Sequence, residues 1–231
     1  LVDPSVGFGL EAAAREARYA AFAETARDCL LLAQHRGDQA ETVLFNLLRG
    51  AGVTGAAGMP AERAFGKLRL LRPLLDCSRA EIEAYAGQAG LSWVDDESNA
   101  DTSLTRNFLR HEALAALNQR FPAAEASLAL AASHFGEAAG LLDDLAALDW
   151  QEMSDSDALR LSALKTLSLP RLKNLLRYRL RQLGWQVPVA SRLEEFARQL
   201  HFAGPDRHPE LCLPGGKMRA ARGRLHWLPE K

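Results

Sequence analysis

Apolar positions recur at helical spacing through the Ala-, Glu- and Arg-rich stretch Leu10–Arg27, then close up into the run Cys29–Ala33. The first pattern predicts an amphipathic helix and the second a buried strand. Gln39–Arg49 returns to the helical period, with Val43, Leu44, Leu47 and Leu48 on one face. Helix, strand, loop, helix is the rhythm of an α/β sheet domain. Gly50–Pro60 is too rich in glycine for a regular element and reads as a loop. Lys67–Leu75 alternates in part and ends at Arg72-Pro73, which predicts a last strand. Ser78-Arg79-Ala80-Glu81 is a capping box that opens a helix to about Ala89, stopped by Gly90.

Further along, Leu91–Val94 reads as a short extended piece. Asp95–Thr102 reads as a polar loop leading into a helix that ends near Leu117. Ala123–Leu148 is a long Ala/Leu pattern with acids at Asp143, Asp144 and, just beyond it, Asp149, and it predicts a helix connecting two bodies. Beyond it, Pro170–Leu183 and Ser191–Leu200 have helical periods. Glu210–Leu213 and Leu225–Leu228, set around Pro214-Gly215-Gly216 and Arg222-Gly223, read as short strands with tight turns. The fold expected is therefore an α/β part followed by a mostly helical part with a short β element.

The 231 residues suffice for one or two domains, and the composition is that of a globular protein, 48% hydrophobic and 25% charged. No apolar run has the length of a membrane span and no basic-then-apolar leader is present, so a cytoplasmic protein with no membrane partner is expected. The first residue is Leu1, which suggests a piece of a longer polypeptide. Cys29, Cys77 and Cys212 are too scattered for a disulfide framework or a metal knuckle, and Cys29 is expected to be a buried small hydrophobe. The zinc deaminase signature is absent, and no metal site is expected.

The net charge of −1 conceals a division. Residues 1–159 hold 13 Lys+Arg against 24 Asp+Glu, whereas residues 160–231 hold 15 against 5. A polyanion would meet the second part. There Arg171, Lys173, Arg177, Arg181, Arg219 and Arg222 are the candidate contacts to a folded RNA, read by phosphate and shape. Tyr178 and Trp185 are assigned to the domain's own core.

In the first part, Gln34–Thr42 follows the strand Cys29–Ala33, where open α/β sheets place ligands, and brings His35, Asp38 and Glu41 to one helix start. Asp38 fits both a helix cap, by its place before Gln39, and a catalytic carboxylate. Arg106 and Arg110 stand at i and i+4, a spacing that lets both close on one phosphate or face solvent and the acids upstream, with Asn107 between them. Arg49-Gly50-Ala51-Gly52 permits close backbone approach by a ligand or is an ordinary glycine cap.

These residues resemble the tRNA(Ile)-lysidine synthetases of the PP-loop ATP pyrophosphatase superfamily. The likeness runs through Gly9–Arg15, Ala33-Gln34-His35, Asp38–Thr42, Leu48–Gly52, Leu71–Leu75, Ser98-Asn99 with Arg106-Asn107 and Arg110, and Asn174–Tyr178. The resemblance implies a partial PP-loop catalytic domain over 1–118, a connecting helix over 119–150 and a basic tRNA-binding domain over 151–231. It further implies ATP and Mg2+ as cofactors, tRNA(Ile) and L-lysine as partners, and leaves room for a homodimer. The implied reaction adenylylates C2 of the wobble cytidine of the CAU anticodon and lets the lysine amine displace AMP. By the same resemblance His35 stands near the nucleophile or adenylate, Asp38 holds the lysine ammonium and takes its proton, and Arg106 and Arg110 hold phosphates, with Arg49 and Asn107 as further phosphate contacts.

Two departures are evident. The family's Ser-Gly-Gly-x-Asp-Ser loop does not occur in residues 1–231, and Gly37 stands where the family usually has an acid. The expectation for this chain by itself is weak tRNA binding and no modification. A sibling enzyme that thiolates tRNA is disfavoured by the scattered cysteines. A non-catalytic RNA-binding adaptor is favoured by Gly37 and the missing loop.

Overall fold

The computed structural model describes residues 17–22, 24, 28–94, 101–202, 204 and 207–230. The Gly9–Arg15 and Ser98-Asn99 motifs, the loop 95–100 and most of the predicted first helix lie outside the described residues. Residues 17–22 of that helix are helical. The chain divides into two compact units, Leu1–Glu137 and Ala138–Lys231.

In the first unit, β1 (Cys29–Leu31), β2 (Glu62–Phe65) and β3 (Leu68–Leu71) form a sheet in the order β1-β3-β2. β1 runs parallel to β3, with Leu30 opposite Leu70, and β2 pairs antiparallel to β3 through a turn at Gly66. The α/β class holds, with one parallel pair and one hairpin. β2 was not anticipated. Cys29 is exposed and Leu31 is 62% exposed, so the run is not buried as expected: β1 is one of the two edge strands of the described sheet.

After β1 the chain enters α1 (Arg36–Leu48), three residues earlier than the apolar period suggested. The expected loop Gly50–Pro60 contains a single helical turn, α2 (Val53–Ala56). Gly50 adopts φ 74 just past the end of α1, as its capping role requires. Gln39 ties this region down from the helix: its Nε2 donates to Met59 O at 2.9 Å and its Oε1 accepts from Met59 N at 2.8 Å. Arg72, 3% exposed, donates to Gln34 Oε1 at 2.5 Å and to Pro60 O at 2.7 Å, which turns it inward and ends β3.

The Ser78–Glu81 capping box opens α3 (Arg79–Gln88) as predicted. Leu91–Val94 forms no strand. The next helix is interrupted: α4 (Thr105–Phe108), a π-helical segment (Leu109–Ala113) and α5 (Leu114–Arg120) follow one another. The long helix α6 (Ala124–Met153) has 30 residues and contains the boundary between the units.

The second unit holds an antiparallel five-stranded sheet, larger than the short β element expected. Its order is β4 (Ser154–Asp155), β5 (Ala158–Arg160), β8 (Arg224–Pro229), β7 (Gly216–Ala221), β6 (Glu210–Leu213). α7 (Leu161–Leu164) is one turn, and α8 (Leu169–Gln182) and α9 (Ala190–Phe202) match the predicted helices. Leucines at 172, 175, 176 and 180 line one face of α8, and Leu193, Phe196, Ala197 and Leu200 one face of α9. They join the alternate residues Leu211, Leu213, Met218, Ala220 and Leu225 of the strands in one core, against which Tyr178 and Trp185 pack. Among the described residues no helix is long and apolar enough to cross a membrane.

Candidate functional site

The N-terminus of α1 gathers the charged groups of the first unit. His35, not Asp38, is the N-cap: its Nδ1 accepts from Gly37 N at 3.0 Å, while Asp38 Oδ2 accepts from His35 N at 3.0 Å. This reciprocal pair is a capping box, so Asp38 serves the helix from its first turn. With Nδ1 accepting, the neutral ring carries its proton on Nε2, which stands 3.7 Å from Asp38 Oδ2.

Asp38 and Glu41 lie three residues apart on one face of α1, and Arg110 reaches both from the π-helical segment. Its Nε donates to Glu41 Oε1 at 2.5 Å, and its Nη2 donates to Asp38 Oδ1 at 3.0 Å and to Glu41 Oε2 at 3.1 Å. The Glu41 side chain is 5% exposed. Burial raises its pKa above the usual carboxylate value, against the opposing pull of Arg110, with Asp38 raising it further and Arg106 lowering it. The Arg110 pKa is moved by burial, which lowers it, and by bonds to Glu41 and Asp38, which raise it, with a net rise. Arg106 and Arg110 thus both act on Glu41. Arg106 lies in α4 and Arg110 in the π-helical segment that follows it.

Asn107, 8% exposed, uses its Nδ2 to hold Asp101 O at 2.9 Å, a clip on the loop before α4. Arg49 does not join the cluster. It caps the far end of α1, about 16 Å along the axis from Asp38, with its guanidinium over the Phe45 ring at 5.1 Å. Glu41 received no role from the sequence; its signal was its place three residues after Asp38 on a helix whose N-terminal turns are buried. His35 also borders a groove of about 400 Å³ with Arg79, Ile82, Glu83, Ala86, Leu91, Ser92 and Trp93.

In the second unit four of the six candidate RNA contacts are held by the protein's own carboxylates. Arg171 grips Asp149, which is fully buried, through Nε and Nη2. Lys173 pairs with Glu194, Arg181 with Asp143 and Arg219 with Glu210. Arg177 and Arg222 form no such pair among the described residues. The strong charge division is corrected accordingly: residues 138–231 carry 15 Lys+Arg against 11 Asp+Glu, because acids of α6 and the β4 turn belong to this unit.

A family model described as a PP-loop domain matches residues 2–117, and one described as the TilS substrate binding domain matches residues 159–226. Among curated proteins, the tRNA(Ile)-lysidine synthase of Nitrosomonas europaea is 48% identical over 95% of this chain and 49% of its own length. That of Pseudomonas fluorescens is 46% identical over 98% and 53%, and that of Aromatoleum aromaticum 48% over 96% and 52%. The chain belongs to the PP-loop family, and it is similar over about half of their length to proteins named tRNA(Ile)-lysidine synthase. It spans about half the length of the curated relatives it matches.

Membership in this family gives Gly37 a physical context. A Cβ at position 37 would stand 2.9 Å from His35 Cε1 and 3.7 Å from Glu125 Oε2, so an acid there would displace the ring and meet a like charge. A protein-held Mg2+ does not fit the cluster: Arg110 already occupies oxygens of both Asp38 and Glu41, and no group of three or more metal-ligating side chains occurs among the described residues.

Proposed function

We propose that the protein carrying this chain ligates L-lysine to C2 of the wobble cytidine of tRNA(Ile) with a CAU anticodon, in an ATP-dependent reaction through an adenylated intermediate. It is a cytoplasmic enzyme, and the first unit of this chain contributes to its catalytic site. The observation that carries the reading is the convergence of His35, Asp38, Glu41, Arg106 and Arg110 at the N-terminus of a helix that follows a parallel strand.

The chemistry requires a free amine. A lysine side chain in water titrates at about 10.4, so only roughly one molecule in 2,500 is uncharged at pH 7. Asp38 holds the ammonium and accepts a proton as attack proceeds. For this Arg110 must release Asp38 Oδ1, and an incoming phosphate is the competitor that draws a guanidinium away. ATP therefore binds before lysine: Arg110 and Arg106 turn to the phosphates, and Asp38 with Glu41 is left to receive the amine. His35, fixed by its cap, stands beside the same nucleophile. Mg2+, where needed, would arrive on the ATP phosphates, and no step is assigned to it.

In the gene-length protein Asp38→Ala should abolish incorporation of labelled lysine into the tRNA while tRNA affinity stays within a few-fold. Unchanged turnover would remove Asp38 from the mechanism. Lysine protection of the wild-type protein should also require ATP; equal lysine binding without nucleotide would refute the exchange at Arg110.

A further inference from the structure

The second unit contains a cavity of about 310 Å³ between α7, α9, the segment that follows α9 and the tip of the β7–β8 hairpin. Its basic rim is Lys165, Arg207, His208 and Arg222; half-buried Leu161 supplies apolar wall, with the buried Leu200 and Ala220 behind it. Elsewhere in this unit Arg160, Arg177, Arg192 and Arg198 also lack a carboxylate partner among the described residues, but most cations have one. Arg171, Lys173, Arg179, Arg181, Lys217, Arg219 and Arg224 all pair with carboxylates of the protein. Arg207 and Arg222 pair with none among the described residues.

The hairpin tip adds an independent sign. Arg222 and Gly223 have φ 50 and 73, the conformation of a two-residue turn that favours Asn-Gly. A left-handed arginine costs about 1 kcal/mol relative to glycine there, and Gly223 O is fixed by Leu161 N at 2.9 Å. The chain keeps an unfavourable residue at a turn position that lines the cavity. Backbone strain of this kind collects where a side chain is needed.

We propose that this cavity receives one nucleotide of a single-stranded RNA segment, its phosphate on Arg222 and Arg207 and its unstacked base against Leu161. The size is that of a small-molecule pocket and excludes a duplex. Cationic rim with apolar wall is the chemistry that takes splayed nucleotides. This site rests on the tRNA-binding reading of the protein and names where within the second unit a strand enters.

The test measures affinity of the full chain for an unmodified tRNA transcript between about 50 and 200 mM salt. Arg222→Asn keeps the turn and removes the cation. It should leave the melting temperature unchanged or higher, weaken binding about 5- to 10-fold and reduce the salt slope by about 0.9, one phosphate contact. Ser162→Trp blocks the cavity mouth from an exposed position without altering charge, and should weaken binding with the slope unchanged. Arg198→Gln, an exposed cation outside the cavity, should do neither to the same degree. Wild-type chain that fails to bind the transcript would defeat the broader tRNA reading. Wild-type binding with Arg222→Asn or Ser162→Trp indistinguishable from it, or Arg198→Gln equal to Arg222→Asn, would overturn this site alone.

Discussion

Arg110→Met removes the guanidinium from Glu41 and Asp38 while keeping much of the side chain's length. The consequence falls on Glu41, because Asp38 is 23% exposed and retains the His35 N–H, whereas the Glu41 side chain is 5% exposed. Opposite charges about 4 Å apart at an effective dielectric near 20 attract by about 4 kcal/mol. Breaking a buried pair typically costs about 3–5 kcal/mol. Arg110 is 30% exposed, so solvent screens part of this, and the expected loss at pH 7.5 is about 2–3 kcal/mol.

The pH dependence has a definite sign. Burial already raises the Glu41 pKa and Arg110 opposes it, so the variant moves the folded-state value further up. Above the unfolded value of 4.5 the folded variant holds a proton that the unfolded chain releases. Its stability therefore falls as pH rises from there, up to the raised folded value. As pH falls toward 4.5 the deficit narrows, and well below it Glu41 is protonated in both states. Urea titration at pH 5 and 7.5, with amide exchange across α1 to identify the unit that opens, measures it. Adding Glu41→Gln should recover about 2 kcal/mol of the loss at pH 7.5. An equal deficit at both pH values, or a double variant no better than the single, would show that a stranded carboxylate is not the cause.

Two further substitutions probe what holds each unit. Gln39→Leu leaves both the N–H and the C=O of Met59 without their side-chain partner, at about 2–4 kcal/mol in the same titration, and should speed exchange of the Met59 amide. Gly216→Ala would place a Cβ 2.4 Å from Leu228 O and from Trp185 Cη2 at φ 152. It should destabilise by about 1–3 kcal/mol and shift tryptophan emission to the red as Trp185 is displaced; unchanged emission would mean that the ring is not packed there.

Local patterns were legible and long-range ones were not. The Ser78–Glu81 box and the leucines of α8 and α9 carry their information within one or two turns, and they appear where expected. β2 and the β4–β5 hairpin did not declare themselves, because strands of two to four residues contain too few alternations to register. The second hairpin turns at Ser156, left-handed at φ 59 without a glycine to mark it. Cys29–Ala33 was apolar enough to be buried, but an apolar run states what a strand can bury and not what covers it. In the site, His35 and Asp38 were found by motif, while the Arg110–Glu41 contact joins residues 69 apart in sequence. No local pattern encodes it.

Arg110 and Arg171 use the same device in the two units. Each is a partly exposed guanidinium forked onto a carboxylate that the fold has buried, Glu41 in one case and Asp149 in the other. Arginine suits this because its planar fork is weakly hydrated and meets both carboxylate oxygens at once, which an ammonium does not. An arginine so used contributes a full positive charge to a count along the sequence and little to the field a polyanion meets, since its partner cancels it at short range. The excess of 15 Lys+Arg over 5 Asp+Glu in residues 160–231 therefore includes cations whose field is cancelled at short range. On the proposed reading, binding to a nucleic acid would depend instead on the cations left without a carboxylate, and their positions, not their number, would decide where a strand is held.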